Sequence, residues 1–439
     1  MKSDNISSVE NKLYNIPLFG KKVGLKNIER LILEMDFILP LTDYLNKTKI
    51  IHVTGTNGKG SVCSMLRTIY DKEGYTVGMF TSPHIEHITE RIQFNNNNVN
   101  EKLFIEGYEC IRTIVDRIKE EGIIPTFFEW VFGIALYCFA VKQPEILIIE
   151  VGIGGRLDTT NVLPQKALSI ITPIGLDHQN ILGETIEEIT NEKAGIIKHN
   201  GKVVLYNENS VVENIIDRIT ADIGAECYKV LPNRTKIYET SQLGIDFSIG
   251  NKYYCYEKLR LPVCGTYQIE NASITLTAIE ALKDILPVSD DSIQKGIHAF
   301  HWVGRFESVA ENLIVDGAHN ELGAITLVNT IKKMYGDSKV DLLFAIKEGK
   351  NSNEIIQVFE NSGCFDRIYV VDLSILKSEP KEVLISKFKM GKDKVIPVDQ
   401  LRPFLKMYCT SMKERLLIGA GSLYLVSEII KIVQEEDLK

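Results

Sequence analysis

Short apolar runs rich in Ile and Val alternate along the chain with longer segments whose apolar residues recur at helical period. That alternation predicts βαβ units feeding a mostly parallel sheet. Candidate strands fall at residues 50–54, 76–81, 145–151, 167–172 and 202–206, with a second series at 313–316, 340–346, 367–371 and 416–419. Between the first two, Val62, Met65, Leu66, Ile69 and Tyr70 recur at i, i+3, i+4, i+7 and i+8, one apolar stripe of a helix that opens near Lys59. Residues 103–118 read the same way. Residues 228–260 break the rhythm: short Tyr- and Ile-containing runs separated by Gly and Asn predict antiparallel strands beside the parallel sheet. The Asn tract at 95–98 reads as a solvated loop.

A helical segment at 268–286 is followed by a polar break at 287–291, and a new strand series begins by 302–305, which sets a domain boundary near residue 296. The fold class expected is α/β. Residues 1–296 should form a nucleotide-binding domain with a mostly parallel sheet and a small antiparallel one, and residues 297–439 a smaller Rossmann-like α/β domain. A length of 439 residues agrees with two or three domains of ~150 residues.

Composition narrows the classes. With 44% hydrophobic and 25% charged residues the chain is an ordinary globular one, and disorder as the main state is excluded. A net charge of −8 leaves no global positive field for nucleic acid or an anionic membrane, so neither is an expected partner. The first fourteen residues mix Lys, Asp, Glu, Asn and Ser, which is neither a signal nor a transit peptide. The longest apolar stretch, 127–141, carries Glu129 and falls short of the ~20 residues of a bilayer span, so a cytoplasmic location is expected. Eight Cys stand singly without a C-x-x-C pair, which predicts reduced thiols rather than disulfides or a zinc site.

The chemistry begins at His52-Val-Thr-Gly-Thr-Asn-Gly-Lys-Gly-Ser61, between a strand-like run and an amphipathic helix. Backbone N–H groups of Gly55, Thr56, Asn57, Gly58 and Gly60 can converge on an anion there. The helix N-terminus adds partial positive charge, and Lys59 supplies a point charge for β/γ phosphates. The spelling departs from G-x-x-x-x-G-K-[ST]: Val53 holds the first Gly position, and Gly60 stands between Lys59 and Ser61.

That loop resembles the one of the Mur ligase family of ATP-dependent amide-forming enzymes, and within it the folylpolyglutamate synthase/dihydrofolate synthase branch. The resemblance continues in family order through Ile16-Pro-Leu-Phe-Gly20 with Gly24-Leu25, Thr81-Ser-Pro-His84 with Glu90-Arg91, Thr126-Phe-Phe-Glu129, and Glu150-Val-Gly-Ile-Gly-Gly-Arg-Leu-Asp158 through Asn161. It runs on through Asp177-His178, Glu192-Lys-Ala-Gly-Ile-Ile-Lys198, Gln268 with Asn271-Ala272, Gly304-Arg305, Asp316-Gly-Ala-His-Asn320 and Gly421-Ser-Leu-Tyr424. It spans about residues 15–425.

Glu150 closes the apolar run 146–149, so its carboxylate should emerge at the C-terminal edge of a buried strand, where a hard Mg²⁺ beside nucleotide phosphates wants an oxygen. By resemblance, Ser82, Glu150 and His178 are metal ligands and two Mg²⁺ accompany ATP. Thr185 and Glu188 read as a capping box, and Ile186, Ile189, Lys193 and Ile197 then share one face. A Lys on that stripe must snorkel, deprotonate or be modified. The resemblance implies a carbamylated Lys193 near the second ion.

In the second domain, the resemblance implies that Arg305 contacts ATP across a cleft and that Asp316 and His319 border the nucleotide and amino-acid sites. Asn271, with Gln268, approaches the base or the acceptor. Ser422 and Tyr424 resemble the family's glutamate-site pair. By resemblance, Phe19, Gly20 and residues 126–129, ending at Glu129, should line a pteridine pocket, with Arg156 and Asp158 also on the substrate side. The reaction implied is phosphoryl transfer from ATP to a carboxylate of folate or dihydropteroate, then attack by the amine of L-glutamate, in a monomer. Lys59, Lys193, Arg305, Asp316 and His319 are its catalytic candidates. A Mur-family ligase with another acceptor and a noncatalytic ATP-binding regulator are the alternatives. Two departures stand out: Tyr267 where the family usually has His, and Lys347-Glu-Gly-Lys350 where it usually has Lys-Asp-Lys-Asp.

Overall fold

The computed structural model describes residues 5–18, 24–206, 209–230, 234–241, 243–373, 378–391 and 393–438. Its largest sheet contains β1 (Lys49–Thr54), β2 (Val77–Phe80), β3 (Ile92–Phe94), β4 (Asn97–Asn98), β5 (Ile146–Glu150), β6 (Leu168–Ile171), β7 (Lys202–Leu205) and β8 (Glu226–Lys229). The order is β4-β3-β2-β5-β1-β6-β7-β8, and all neighbours from β2 to β8 run parallel. β1 and β5 lie at the centre with helices on both sheet faces, which is why they read as largely apolar runs. Period-two alternation divides their side chains. Ile51, Val53, Ile146 and Ile148 enter the core beneath the helices Lys59–Glu73 and Gln268–Leu282. Ile50, Leu147 and Ile149 enter the one beneath Lys26–Asp36, Glu101–Ile118 and Phe127–Lys142.

β9 (Lys236–Ser241), β10 (Gly244–Gly250) and β11 (Cys255–Leu261) form a small antiparallel sheet whose Ile245, Phe247, Leu259 and Leu261 join the first of those cores. The C-terminal sheet contains β12 (Arg305–Ala310), β13 (Leu313–Asp316), β14 (Val340–Phe344), β15 (Phe365–Val371), β16 (Val395–Val398) and β17 (Leu417–Ala420), in the order β12-β13-β17-β14-β15-β16. It is parallel except for β12. The α/β expectation, with one parallel sheet, one small antiparallel sheet and a second C-terminal sheet, therefore holds.

Two local expectations change, and one strand was not predicted. The 95–98 tract is not wholly loop: Asn95 turns at a φ of 51°, and Asn97 and Asn98 pair back on Phe94 and Gln93. Residues 228–229 are not antiparallel, because the helix Ser210–Ile223 makes a crossover that returns β8 (Glu226–Lys229) parallel to β7. β16 carries Pro397, tolerated because it lies at the sheet edge. The apolar segment beginning at Phe127 is a helix buried on most of its circumference. Among the described residues no helix is long and apolar enough to cross a membrane.

Candidate active site

β1 ends at Thr54 and the next helix begins at Lys59, so the Gly-rich loop turns at the C-terminal edge of the sheet centre. Two glycines there are required. Gly58 sits at φ +86°, and a Cβ on it would meet Asn271 Oδ1 at 2.5 Å. A Cβ on Gly60 would meet the Trp302 indole at 2.7 Å, which explains why this position departs from the common spelling. Lys59 Nζ donates to the carbonyls of Gly55 and Thr56, each at 3.1 Å. Thr56 Oγ1 donates to the Gly175 carbonyl at 3.0 Å, and buried Ser61 accepts from Gln268 Nε2 at 3.3 Å. Asn271 Nδ2 donates to Gln268 Oε1 at 2.8 Å, so the helix at 268–282 buttresses the loop.

Glu150 lies beside Val53 in the parallel register, next to the start of the loop. Its Oε2 accepts the Ser82 backbone N–H at 3.0 Å. Burial raises its carboxyl pKa, against the pull of Lys59 and that hydrogen bond. Lys193 does not snorkel. It is 4% exposed, ends the helix opened by the Thr185/Glu188 capping box, and donates from Nζ to the Gly55 carbonyl at 2.8 Å. Burial, helped by Lys59, lowers it to about 7. Ile197 lies beyond the end of that helix. His178, in the left-handed region at φ 52°, is lowered to about 4 by burial, so its neutral ring has a lone pair to offer. Among the described residues no three His, Cys, Asp or Glu gather into a closed metal cage. One carboxylate, one hydroxyl and one neutral imidazole fit Mg²⁺ all the same, because that ion keeps water and phosphate oxygens and needs only one or two carboxylates.

The C-terminal lobe reaches the same edge. The side-chain amides of Asn57 and Asn320 meet at 3.0–3.1 Å, and Asn320 Nδ2 donates to Asp177 Oδ2 at 3.1 Å. Lys350 Nζ donates to Asp177 Oδ1 at 2.6 Å, and His319 Nε2 lies 3.7 Å from Asp177 Oδ2. Burial pushes the Asp177 carboxyl up, but Lys350, His178 and His319 outweigh it and hold the group well below the usual range. Burial lowers His319 to about 4, and its Nδ1 bonds the Gly317 carbonyl at 2.7 Å. Asp316 ends β13 opposite Arg305 on β12. Asp177, Asn320 and Lys350 were not singled out as site residues from sequence, since a contact across more than a hundred residues leaves no local spacing to read.

For the remaining predicted site residues the picture is mixed. Glu129 Oε2 accepts from Thr126 N at 2.7 Å and Thr126 Oγ1 at 3.0 Å, a capping box, and also from Asn27 Nδ2 at 3.4 Å. Arg156 pairs with Glu192 at 2.7 Å. Asp158 accepts the N–H groups of Ile153 and Thr160 at 3.0 and 2.9 Å, folding the loop after β5. Ser422 caps the last helix, and Tyr424 stands in its first turn. Phe19 and Gly20 lie outside the described residues. The structure joins Arg91, His84 and Tyr14 into a cluster that the sequence alone did not place together. Buried Arg91 donates from Nε to His84 Nδ1 at 2.8 Å and lies over the Phe127 ring at 5.4 Å, while His84 Nε2 meets the Tyr14 hydroxyl at 2.9 Å.

The sequence pattern of the Mur ligase middle domain matches residues 53–279, more than half of the chain. The chain belongs to the Mur ligase family. Residues 304–432 match the dihydrofolate synthetase C-terminal domain. This Mur ligase is 30% identical over 416 residues to dihydrofolate synthetase of Saccharomyces cerevisiae, covering 88% of this chain and 93% of that one. It is 35% identical over 350 residues to dihydrofolate synthase/folylpolyglutamate synthase of Bacillus subtilis, covering 78% and 80%. The crystal structure of folylpolyglutamate synthase from Thermotoga maritima superposes with a TM-score of 0.83 at 29% identity, covering 99% of this chain and 98% of that one.

Both departures from the Mur ligase pattern acquire partners. The Tyr267 hydroxyl donates to Asp316 Oδ2 at 2.8 Å, and Lys350 makes the Asp177 ion pair. Each joins a residue before position 297 to one after it.

Proposed function

We propose that this Mur ligase activates a folate-type carboxylate with ATP and couples it to L-glutamate. The observation that carries this reading is the meeting of the Gly-rich loop, Glu150 and the Asp177–Asn320–Lys350 contacts at one edge, so that a phosphate grip and a second lobe's polar groups face one cleft. Residues 1–296 supply the grip, and residues 297–439 supply the lobe that closes on it.

In this reading the loop N–H groups at 55–61 and Lys59 hold the triphosphate, Asn271 supports the loop, and Arg305 approaches the phosphates from the second lobe. Ser82, Glu150 and His178 would hold Mg²⁺, which supplies charge neutralisation at the transferring phosphoryl group. Lys193, lowered to about 7 by burial, has a substantial neutral fraction and is thereby open to carbamylation beside a second ion. A carboxylate oxygen of the acceptor bonds the γ-phosphorus and ADP leaves. The glutamate nitrogen then bonds the acyl carbon, the C–O bond to phosphate breaks, and His319, neutral at neutral pH, takes the amine's proton. Asp316 holds the turn that carries His319. Ser422 and Tyr424 face the amino-acid side. Phe19, Glu129, Arg156 and Asp158 belong to the folate side, with Glu129 acting through its helix cap. Lobe closure excludes water that would hydrolyse the acyl phosphate.

The test is to supply purified protein with ATP, Mg²⁺ and L-glutamate, with dihydropteroate and tetrahydrofolate in parallel, and to follow products by mass. A product heavier by one glutamyl unit, with phosphate release that requires both acceptor and glutamate, supports the reading. Nucleotide binding without such a product contradicts it.

A further inference from the structure

Asp316 is 4% exposed, and its oxygens are taken by internal donors: Oδ2 by the Tyr267 hydroxyl at 2.8 Å and the Phe306 N–H at 2.9 Å, Oδ1 by the Ala318 N–H at 2.8 Å. A carboxylate so engaged has little left for a ligand and instead fixes what surrounds it. Two things surround it. Arg305 is its partner in the β12–β13 register, and the Arg305 guanidinium occupies the space where a Cβ on Gly317 would stand. The turn beyond it ends at His319, whose ring is held on the Gly317 carbonyl at 2.7 Å. Among the described residues, the Tyr267 hydroxyl is the only donor on Asp316 from the N-terminal lobe, and Tyr267 immediately precedes the helix Gln268–Leu282 that also buttresses the phosphate loop.

We propose that Tyr267 is a positioning residue for the ligase reaction: its hydroxyl pins Asp316 across the lobe junction, and through Asp316 it sets Arg305 and the His319 turn against the phosphate loop. This rests on the function proposed above. The titratable and charged groups facing Asp316 are the Tyr267 hydroxyl, Arg305 and the Cys264 thiol.

The experiment compares wild type, Tyr267→Phe and Tyr267→His by phosphate release and product mass across pH. Wild-type turnover comes first, and its absence refutes the ligase reading rather than this one. With turnover established, Tyr267→Phe is expected to lose about tenfold in kcat, the size of one hydrogen bond to a charged group. The KM for the folate-type acceptor stays within about twofold, because that ligand's side of the cleft is untouched. The acid limb of its pH profile moves to higher pH, because a carboxylate with one donor fewer protonates more readily. Tyr267→His, whose imidazole stops well short of the position of the Tyr hydroxyl, does not restore the contact and loses kcat as well. Unchanged kcat and acid limb in Tyr267→Phe, or full activity of Tyr267→His, overturns the proposal.

Discussion

Lys350 Nζ lies 2.6 Å from Asp177 Oδ1, and this ion pair ties the C-terminal lobe to the residue that precedes His178. The side chains are 19% and 10% exposed, so solvent screens the pair weakly and its loss strands a largely buried carboxylate. Lys350→Ala is expected to cost about 1–3 kcal/mol of stability and to raise the KM for glutamate. Urea unfolding and steady-state kinetics check this. A cycle with Asp177→Asn should show a coupling energy of at least about 0.5 kcal/mol, and additive effects would speak against the tie.

Lys193 makes stability depend on pH. Burial brings its folded pKa from 10.5 to about 7, so between those values the unfolded chain binds more protons than the folded one. Its favourable contribution is therefore full above the unfolded pKa and is lost as pH falls through the folded one. Urea unfolding of wild type against Lys193→Met should show the wild type gaining roughly 2 kcal/mol relative to the variant from pH 7 to 9. A pH-independent difference would mean that the amine stays charged in the fold.

Gly60→Ser brings the loop nearer the common spelling yet is expected to weaken it. The new Cβ meets the Trp302 indole at 2.7 Å, and overpacking of this kind costs about 1–3 kcal/mol. A lower urea midpoint and a higher KM for ATP are the expected results. Pairing the change with Trp302→Ala should recover part of the loss.

What the sequence disclosed and what it hid follow from range. The run 50–54, the loop and the stripe from Val62 to Tyr70 are local, and period and glycine placement mark β1, the turn and the helix to within a residue or two. Lys193 was legible for the same reason, a cation on an apolar face behind a capping box. The Thr126/Glu129 box was equally local, and it points to a cap rather than to a ligand-facing carboxylate. Asp177 with Lys350 and Tyr267 with Asp316 lie 173 and 49 residues apart, so only folding brings them together. β16 was hidden because Pro397 looks like a breaker until the strand is seen at an edge.

The central claim is that a carboxylate of the acceptor is phosphorylated before the amide forms, and oxygen-18 in that carboxylate follows the step directly. An acyl phosphate delivers one labelled oxygen to each inorganic phosphate released as glutamate is joined. Phosphate released without label, while the amide product accumulates, would contradict it.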